Sequence, residues 1–156
     1  MMGSCGILAV AGCLGGPQET NGVLKYDDHE VPLVSTATAA EWYDGDDAVF
    51  FDARSREPYE AVHIDGAYWS PQPNGRDEDD PSEELSMDTR IVTYCRCPHS
   101  KAGARAVGLL SAGFEDVHAL DEGLDDWVDA GHPVAGEEVT DQLSSGDLGT
   151  PAYREP

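Results

Sequence analysis

From about position 31 to position 135, short apolar runs alternate with helix-like segments, separated by polar stretches that carry glycine or proline. "VPLVS", 31–35, predicts a strand, and Ser35 or Thr36 can then cap a helix through "TATAAEWYDG". "AVFFDAR", 48–54, is an apolar run of strand length that ends in charge. "SREPYEAVH" predicts a short helix, with Pro58 near its first turn, where a missing amide hydrogen is tolerated. "AYWSP" is a further strand candidate. The acidic "QPNGRDEDDPSEELSMDT" after it reads as a loop with one helical turn at 82–86.

"RIVTYC", 90–95, is a strand of the buried type, and the segment after it places Ala102, Ala106, Leu109 and Leu110 at helical spacing before stopping at Gly113. "DVHAL" and "GLDDWVDAG" add one more strand and one more helix. This alternation predicts an α/β fold, with a central parallel sheet of about five strands covered by helices on both faces. Residues 136–156 lack periodicity and read as an acidic, polar tail. A length of 156 residues suits a single domain with its own core, here expected at 31–135.

Charge narrows the partners. Thirty-one acidic residues against nine basic ones give a net charge of -22, which excludes nucleic acid and anionic membrane surfaces as natural partners. With 40% hydrophobic residues and three tryptophans, the acidity reads as the surface of a folded, salt-adapted protein and not as a disordered chain.

The start, "MMGSCGILAVAGCLGG", is uncharged, too short to span a bilayer and the size of a signal-peptide apolar region. "VAGC", Val10 to Cys13, resembles a lipobox. That likeness implies a signal segment at 1–12, a lipidated Cys13 and a tether over 13–30, with a cell-surface, lipid-anchored location; otherwise the location is cytoplasmic. No basic residue precedes the apolar run, so the expected start of the signal lies upstream. A lipid anchor would be the only membrane contact, and a monomer is expected. Processing would leave Cys95 and Cys97 of the four cysteines in the domain, so no disulfide framework can form.

The candidate chemistry lies in "TYCRCPHSKAGARAVGLL", 93–110. Ligands of open parallel sheets bind beyond the carboxyl ends of the strands, and Cys95 stands there, opening a loop into a helix. Such a loop can aim amide hydrogens and a helix N-terminus at a thiolate or a bound anion. Arg96, Ser100 and Lys101 supply charge and donors. Cys97 reads as a resolving thiol, a second sulfur carrier or a small loop residue, and His99 as a substrate-orienting group, an acid or an exposed side chain. Five basic residues, Arg54, Arg56, Arg96, Lys101 and Arg105, fall in the two segments expected to border the site, so an anion-attracting pocket is expected. "CRCPH" as a metal site would have at most three ligands at the wrong spacing, so no metal and no cofactor is expected.

Several stretches together resemble one family. "FFDARSREPYEAVHIDGAYWSP" is similar to the rhodanese pattern of a strand ending Asp-x-Arg, then an aromatic residue, then His-Ile-x-Gly-Ala. "IVTYCRCPHSKAGARAVGLLSAGFEDVHALDEGLDDWVDAGHPV" resembles its second half, with the cysteine after an apolar strand, Gly-Phe, Gly-x-x-x-Trp and Gly-x-Pro-Val. The acidity makes the likeness one to haloarchaeal members.

The resemblance implies a sulfurtransferase. Cys95 would be the nucleophile that takes sulfane sulfur from a small sulfur-containing anion such as thiosulfate, holds it as a persulfide and passes it to a thiol acceptor or cyanide. Asp52, Arg54 and His63 would support the site from an adjacent loop, His63 as scaffold. The chain departs from the pattern at Pro98, where a glycine is usual, at Ser100, where an arginine is usual, and at Pro58 and Val62. The last two remove the usual acidic partner of Arg54, for which Glu57 is the expected substitute. Two other readings share the fold: a membrane-tethered rhodanese-like binding or sulfur-carrier module without turnover, and a relative of the Cys-x5-Arg phosphatases and arsenate reductases. For the latter, Lys101 stands in the arginine position without its bidentate fork.

The acidity generates a prediction. Removing salt unmasks repulsion among the carboxylates, so the melting temperature should fall on transfer from molar salt to dilute buffer. Equal melting temperatures in the two buffers would overturn the salt-adapted reading.

Overall fold

The side chain of Ser35 turns strand into helix: its Oγ accepts a hydrogen bond from the amide of Thr38 at 3.1 Å, capping the helix Thr36–Asp44 (α1). The computed structural model describes residues 21–96 and 99–139. The lipobox-like Val10–Cys13, the loop residues Cys97 and Pro98, and the tail 140–156 lie outside the described residues.

The chain enters through a hairpin, Gly22–Tyr26 (β1) and His29–Val34 (β2), paired antiparallel with Leu24 opposite Val31. This corrects the expected tether, because residues 22–30 are part of the sheet. Asp27 and Asp28 form the turn, and Asp27 takes a positive φ of 54°. After α1 come Val49–Asp52 (β3), Arg56–Ala61 (α2), His63–Ile64 (β4), Tyr68–Trp69 (β5) and a 3-10 turn at Pro81–Glu84. Arg90–Tyr94 (β6), Ser100–Ala112 (α3), Asp116–Leu120 (β7), Leu124–Asp129 (α4) and Val134–Ala135 (β8) complete the described chain.

The main sheet has the order β1-β2-β7-β6-β3-β5. Every pair in it is parallel except the β1–β2 hairpin, so the expected parallel sheet is present with one antiparallel strand added at its edge. β4 and β8 form a separate antiparallel pair, in which Ile64 faces Val134. The expected start of a tail at 136 also shifts, because Val139 packs against the core.

Alternation along the strands builds two cores. Phe50, Val92, Tyr94 and Leu120 point to one face, where Ala39 and Ala40 of α1 and Leu124, Trp127 and Val128 of α4 cover them. Phe51, Ile91, Val117 and Ala119 point to the other, beneath Ala102, Ala106 and Leu109 of α3. Gly113 ends α3 with a left-handed φ of 110°, so the helix can stop beside β7 without a side-chain clash.

The long acidic stretch after β5 is clasped onto α3 by a buried polar cluster. Asp80 accepts hydrogen bonds from Ser70 Oγ at 2.9 Å, the Arg76 amide at 2.7 Å and Ser82 Oγ at 2.6 Å, and it pairs with the guanidinium of Arg105 at 3.1 Å. Arg105 is 2% exposed, so this basic residue serves the clasp and not an anion pocket. Burial raises the Asp80 carboxyl, but the hydrogen bonds from Ser82, Arg76 and Ser70 outweigh it and hold the group below the usual carboxylate range.

A folded pKa below the unfolded one gives stability that is present above the unfolded value near 3.9 and is lost as pH falls through the folded value. Asp80→Ala should therefore cost about 3–5 kcal/mol at neutral pH, because Arg105 is left buried and unpaired. The variant should also lose part of the wild-type acid limb of stability below about pH 4, measurable by urea denaturation across a pH series.

Candidate active site

Cys95 follows the last residue of β6, the strand in the middle of the sheet, and is 2% exposed, with its sulfur in no disulfide. The strand end is held from both neighbours. The amide of Ala53 donates to the carbonyl of Tyr94 at 2.9 Å, and the amide of Leu124 donates to the carbonyl of Cys95 at 3.0 Å. α3, thirteen residues long, begins at Ser100 and directs its N-terminal amides and positive dipole end back toward this loop.

The ends of the loop are tied to the segment that runs from the end of β7 into the first turn of α4. Arg96 pairs with Asp125 at 2.9 Å, both side chains being more than half exposed, and His99 Nε2 lies 2.8 Å from Asp121 Oδ1. His99 takes a φ of 77° as it enters α3, and its carbonyl accepts from the amide of Gly103 at 2.6 Å. Ser100 and Lys101 are exposed on the first turn of α3. Asp121, Gly123 and Asp125 are positioning residues that the sequence reading missed. Their signal, the run "DEGLDD" beyond the carboxyl end of a strand, is hidden on a chain where acids occur almost everywhere.

Beneath the loop lies a buried polar network. Asp52 ends β3 fully buried, and Arg54 folds back onto it, with Nη2 at 2.6 Å from Oδ2 and Nε at 2.9 Å from Oδ1. The same Nη2 donates to the carbonyl of Val62 at 2.6 Å. This corrects the expected substitution by Glu57, which is exposed on α2 while Asp52 is the partner of Arg54. The physical reason is local: residues two apart at a strand end lie on the same side, within reach of each other. Burial lowers the Arg54 pKa, but the carboxylate of Asp52 outweighs it and the net direction is upward. Tyr94 is pushed well up, first by burial and then by Asp52, so its hydroxyl stays neutral; it also accepts from the Ile64 amide at 3.0 Å.

His63 stands beside this network on β4. Its Nδ1 lies 2.6 Å from the carbonyl of Tyr59, and its ring stacks on Tyr59 with centroids 3.9 Å apart. A carbonyl only accepts, so Nδ1 carries the hydrogen. The expected pocket of free cations is corrected as well. Arg54 pairs with Asp52, Arg56 with Glu60, Arg96 with Asp125 and Arg105 with Asp80, which leaves Lys101 without an ion-pair partner among the described residues. On so acidic a chain, guanidinium groups find carboxylates. Among the described residues, no group of three or more His, Cys, Asp or Glu is placed to hold a metal ion.

Residues 35–130 match the family described as the rhodanese-like domain. The chain belongs to the rhodanese-like family. It is 32% identical over 94 residues to the thiosulfate sulfurtransferase GlpE of Pseudoalteromonas translucida, covering 60% of this chain and 86% of that one. It is 36% identical over 83 residues to the HTH-type transcriptional regulator Rv0324 of Mycobacterium tuberculosis, and 33% identical over 115 residues to the tRNA uridine(34) hydroxylase of Staphylococcus carnosus. These matches cover 53% and 69% of this chain, but only 35% and 32% of those relatives, so the chain spans about a third of their length. Among solved structures, the Alr3790 protein of Anabaena superposes with a TM-score of 0.59 at 26% identity, over 71% of this chain and 97% of that one.

The rhodanese-like loop generates a prediction at Gly123. A Cβ there would lie 2.6 Å from the carbonyl oxygen of Arg96, and its φ of 85° is one that side chains rarely adopt. Gly123→Ala should cost about 1–3 kcal/mol of stability. Because the displaced atoms belong to the Cys95 loop, it should also change the rate of Cys95 alkylation by iodoacetamide. An unchanged rate in the folded variant would show that the 121–125 segment does not set the loop.

Proposed function

We propose that this protein is a sulfurtransferase that carries sulfane sulfur as a persulfide on Cys95. The observation that carries the reading is the position of one thiol at the carboxyl end of the central strand β6, with the N-terminus of α3 directed back at its loop. Membership of the rhodanese-like family and the distant likeness to a thiosulfate sulfurtransferase support it.

In loading, the Cys95 thiolate attacks the outer sulfur of thiosulfate. The sulfur–sulfur bond of the donor breaks, sulfite leaves with the electron pair, and Cys95–S–S⁻ remains. Amides of the loop and the start of α3 offset the persulfide charge. Arg54 is too tightly held by Asp52 to bind substrate, and its role is to fix the turn beside Cys95. Thiosulfate is the donor to test first.

The test is intact mass after incubation with thiosulfate. Wild type should gain about 32 Da, one sulfur atom, and Cys95→Ser should gain none. Release of the adduct by cyanide, with thiocyanate formed over many cycles, is expected of an enzyme. An adduct formed once without turnover would favour the sulfur-carrier module, and no adduct would overturn the proposal.

A further inference from the structure

β5 is the edge strand of the sheet, and its second residue, Trp69, pairs in register with Asp52, which in turn pairs with Tyr94. Strands lie about 4.8 Å apart, so the Trp69 backbone stands about 10 Å from that of Tyr94, the residue before the nucleophile. The indole is fixed rather than loose, because its Nε1 donates to the carbonyl of Arg54 at 3.0 Å. The guanidinium carbons of Arg56 and Arg76 lie 5.8 and 5.7 Å from the ring centroid. Together with Tyr59, Glu60 and Tyr68, these three side chains line a surface depression.

Charge makes this depression unusual. The chain has nine basic residues against 31 acidic ones, yet two of the nine stand at one indole. Arg56 also holds Glu60 at 2.6 Å, while Arg76 is exposed with no carboxylate partner among the described residues. Only its backbone amide, through Asp80, serves the fold. Asp77 and Glu78 line a second depression that shares Trp69 and Arg76, and two further depressions have acids in excess: one includes Asp44, Asp46 and Asp65, the other Asp27, Asp28 and Glu30 against Lys25. A guanidinium that forms no ion pair among the described residues, set beside an indole, is a ready partner for a ligand that joins an anion to a planar or apolar body.

The geometry points to a subsite for the sulfur acceptor: Trp69, Arg56 and Arg76 hold a small thiol that bears a carboxylate on a planar or apolar body. The inference rests on the persulfide reading for its chemistry, whereas the binding rests on the depression alone. With the carboxylate at Arg76 and the body on Trp69, a ligand of about 10 Å reach brings its thiol to the Cys95 loop. The acceptor thiolate attacks the outer sulfur of Cys95–S–S⁻, the persulfide bond breaks, and the electron pair returns to Cys95 as thiolate. The acceptor's proton ends on the new persulfide, so Cys95–S–S⁻ and RSH give Cys95–S⁻ and RSSH with no added oxidant.

The experiment uses the full chain with thiosulfate as donor and compares 4′-mercaptobiphenyl-4-carboxylate, whose thiol and carboxylate stand at opposite ends of the body, with biphenyl-4-thiol as acceptors. Arg76→Gln should lower the preference for the carboxylate-bearing thiol, as the ratio of kcat/KM values, about tenfold, the loss of one charge-assisted hydrogen bond. Binding is read separately in Cys95→Ser, where benzoate should quench tryptophan fluorescence. Adding Trp69→Phe should abolish the quench, and adding Arg76→Gln should weaken benzoate binding by a similar factor. An unchanged acceptor ratio together with Arg76-independent benzoate binding overturns the subsite. If Cys95 takes up no sulfur but benzoate binding still depends on Arg76 and Trp69, the anion site stands and the persulfide reading falls.

Discussion

The buried pair of Asp52 and Arg54 is the constraint on which the rest of the site depends. A lone charge at either position would cost several kcal/mol, so the two side chains require each other and fix the turn between them. Hydrogen bonds from that turn reach three ways. Ala53 holds the end of β6 through Tyr94, the Arg54 carbonyl holds the indole of Trp69, and the Arg54 guanidinium holds Val62 before β4. One ion pair thus sets the strand end before Cys95, the sheet edge and the α2–β4 junction relative to one another. Its desolvation makes it a poor source of net stability, and its contribution is to geometry.

The cations around Cys95 shield more than they attract. Arg96 and His99 flank the loop, but each meets a carboxylate, Asp125 in the first turn of α4 and Asp121 at the carboxyl end of β7 respectively. An acceptor-only carboxylate requires His99 Nε2 to carry the hydrogen, which fixes the tautomer at this contact. In the proposed sulfurtransferase, stabilisation of charge on sulfur would rest on backbone amides and the α3 N-terminus, whose partial charges are fixed by the fold and do not depend on the pairing of side chains.

Much of this was legible in the sequence. The apolar runs at 48–54 and 90–95 are strands because their alternate residues feed two cores, and Ser35 and Gly113 mark helix ends through their own backbone chemistry. Cys95 is readable from its place after a buried-type strand. The hairpin at 22–34 was not, because "GVLKYDDHEV" is polar for a strand pair and follows a signal-like start. The two-residue strands β4 and β8 exist only through each other, at a separation no local pattern reports. The partner of Arg54 was obscured by looking along α2 for the acid, when Asp-x-Arg at a strand end already contained it.

The strand order gives the rim two unlike sides. On the β7 side, the Cys95 loop is tied to Asp121 and Asp125, and the amide and hydroxyl of Thr36 at the start of α1 hold Glu122, at 2.6 and 2.9 Å respectively. On the β3–β5 side, Trp69, Arg56 and Arg76 adjoin Glu60 in one depression, and Trp69 and Arg76 adjoin Asp77 and Glu78 in the next. At high salt the screening length shrinks to about 3 Å, so this asymmetry acts at contact and not as a distant field. The sheet order, by placing β3 between β5 and β6, sets the Trp69 edge two strands from the strand that leads into Cys95.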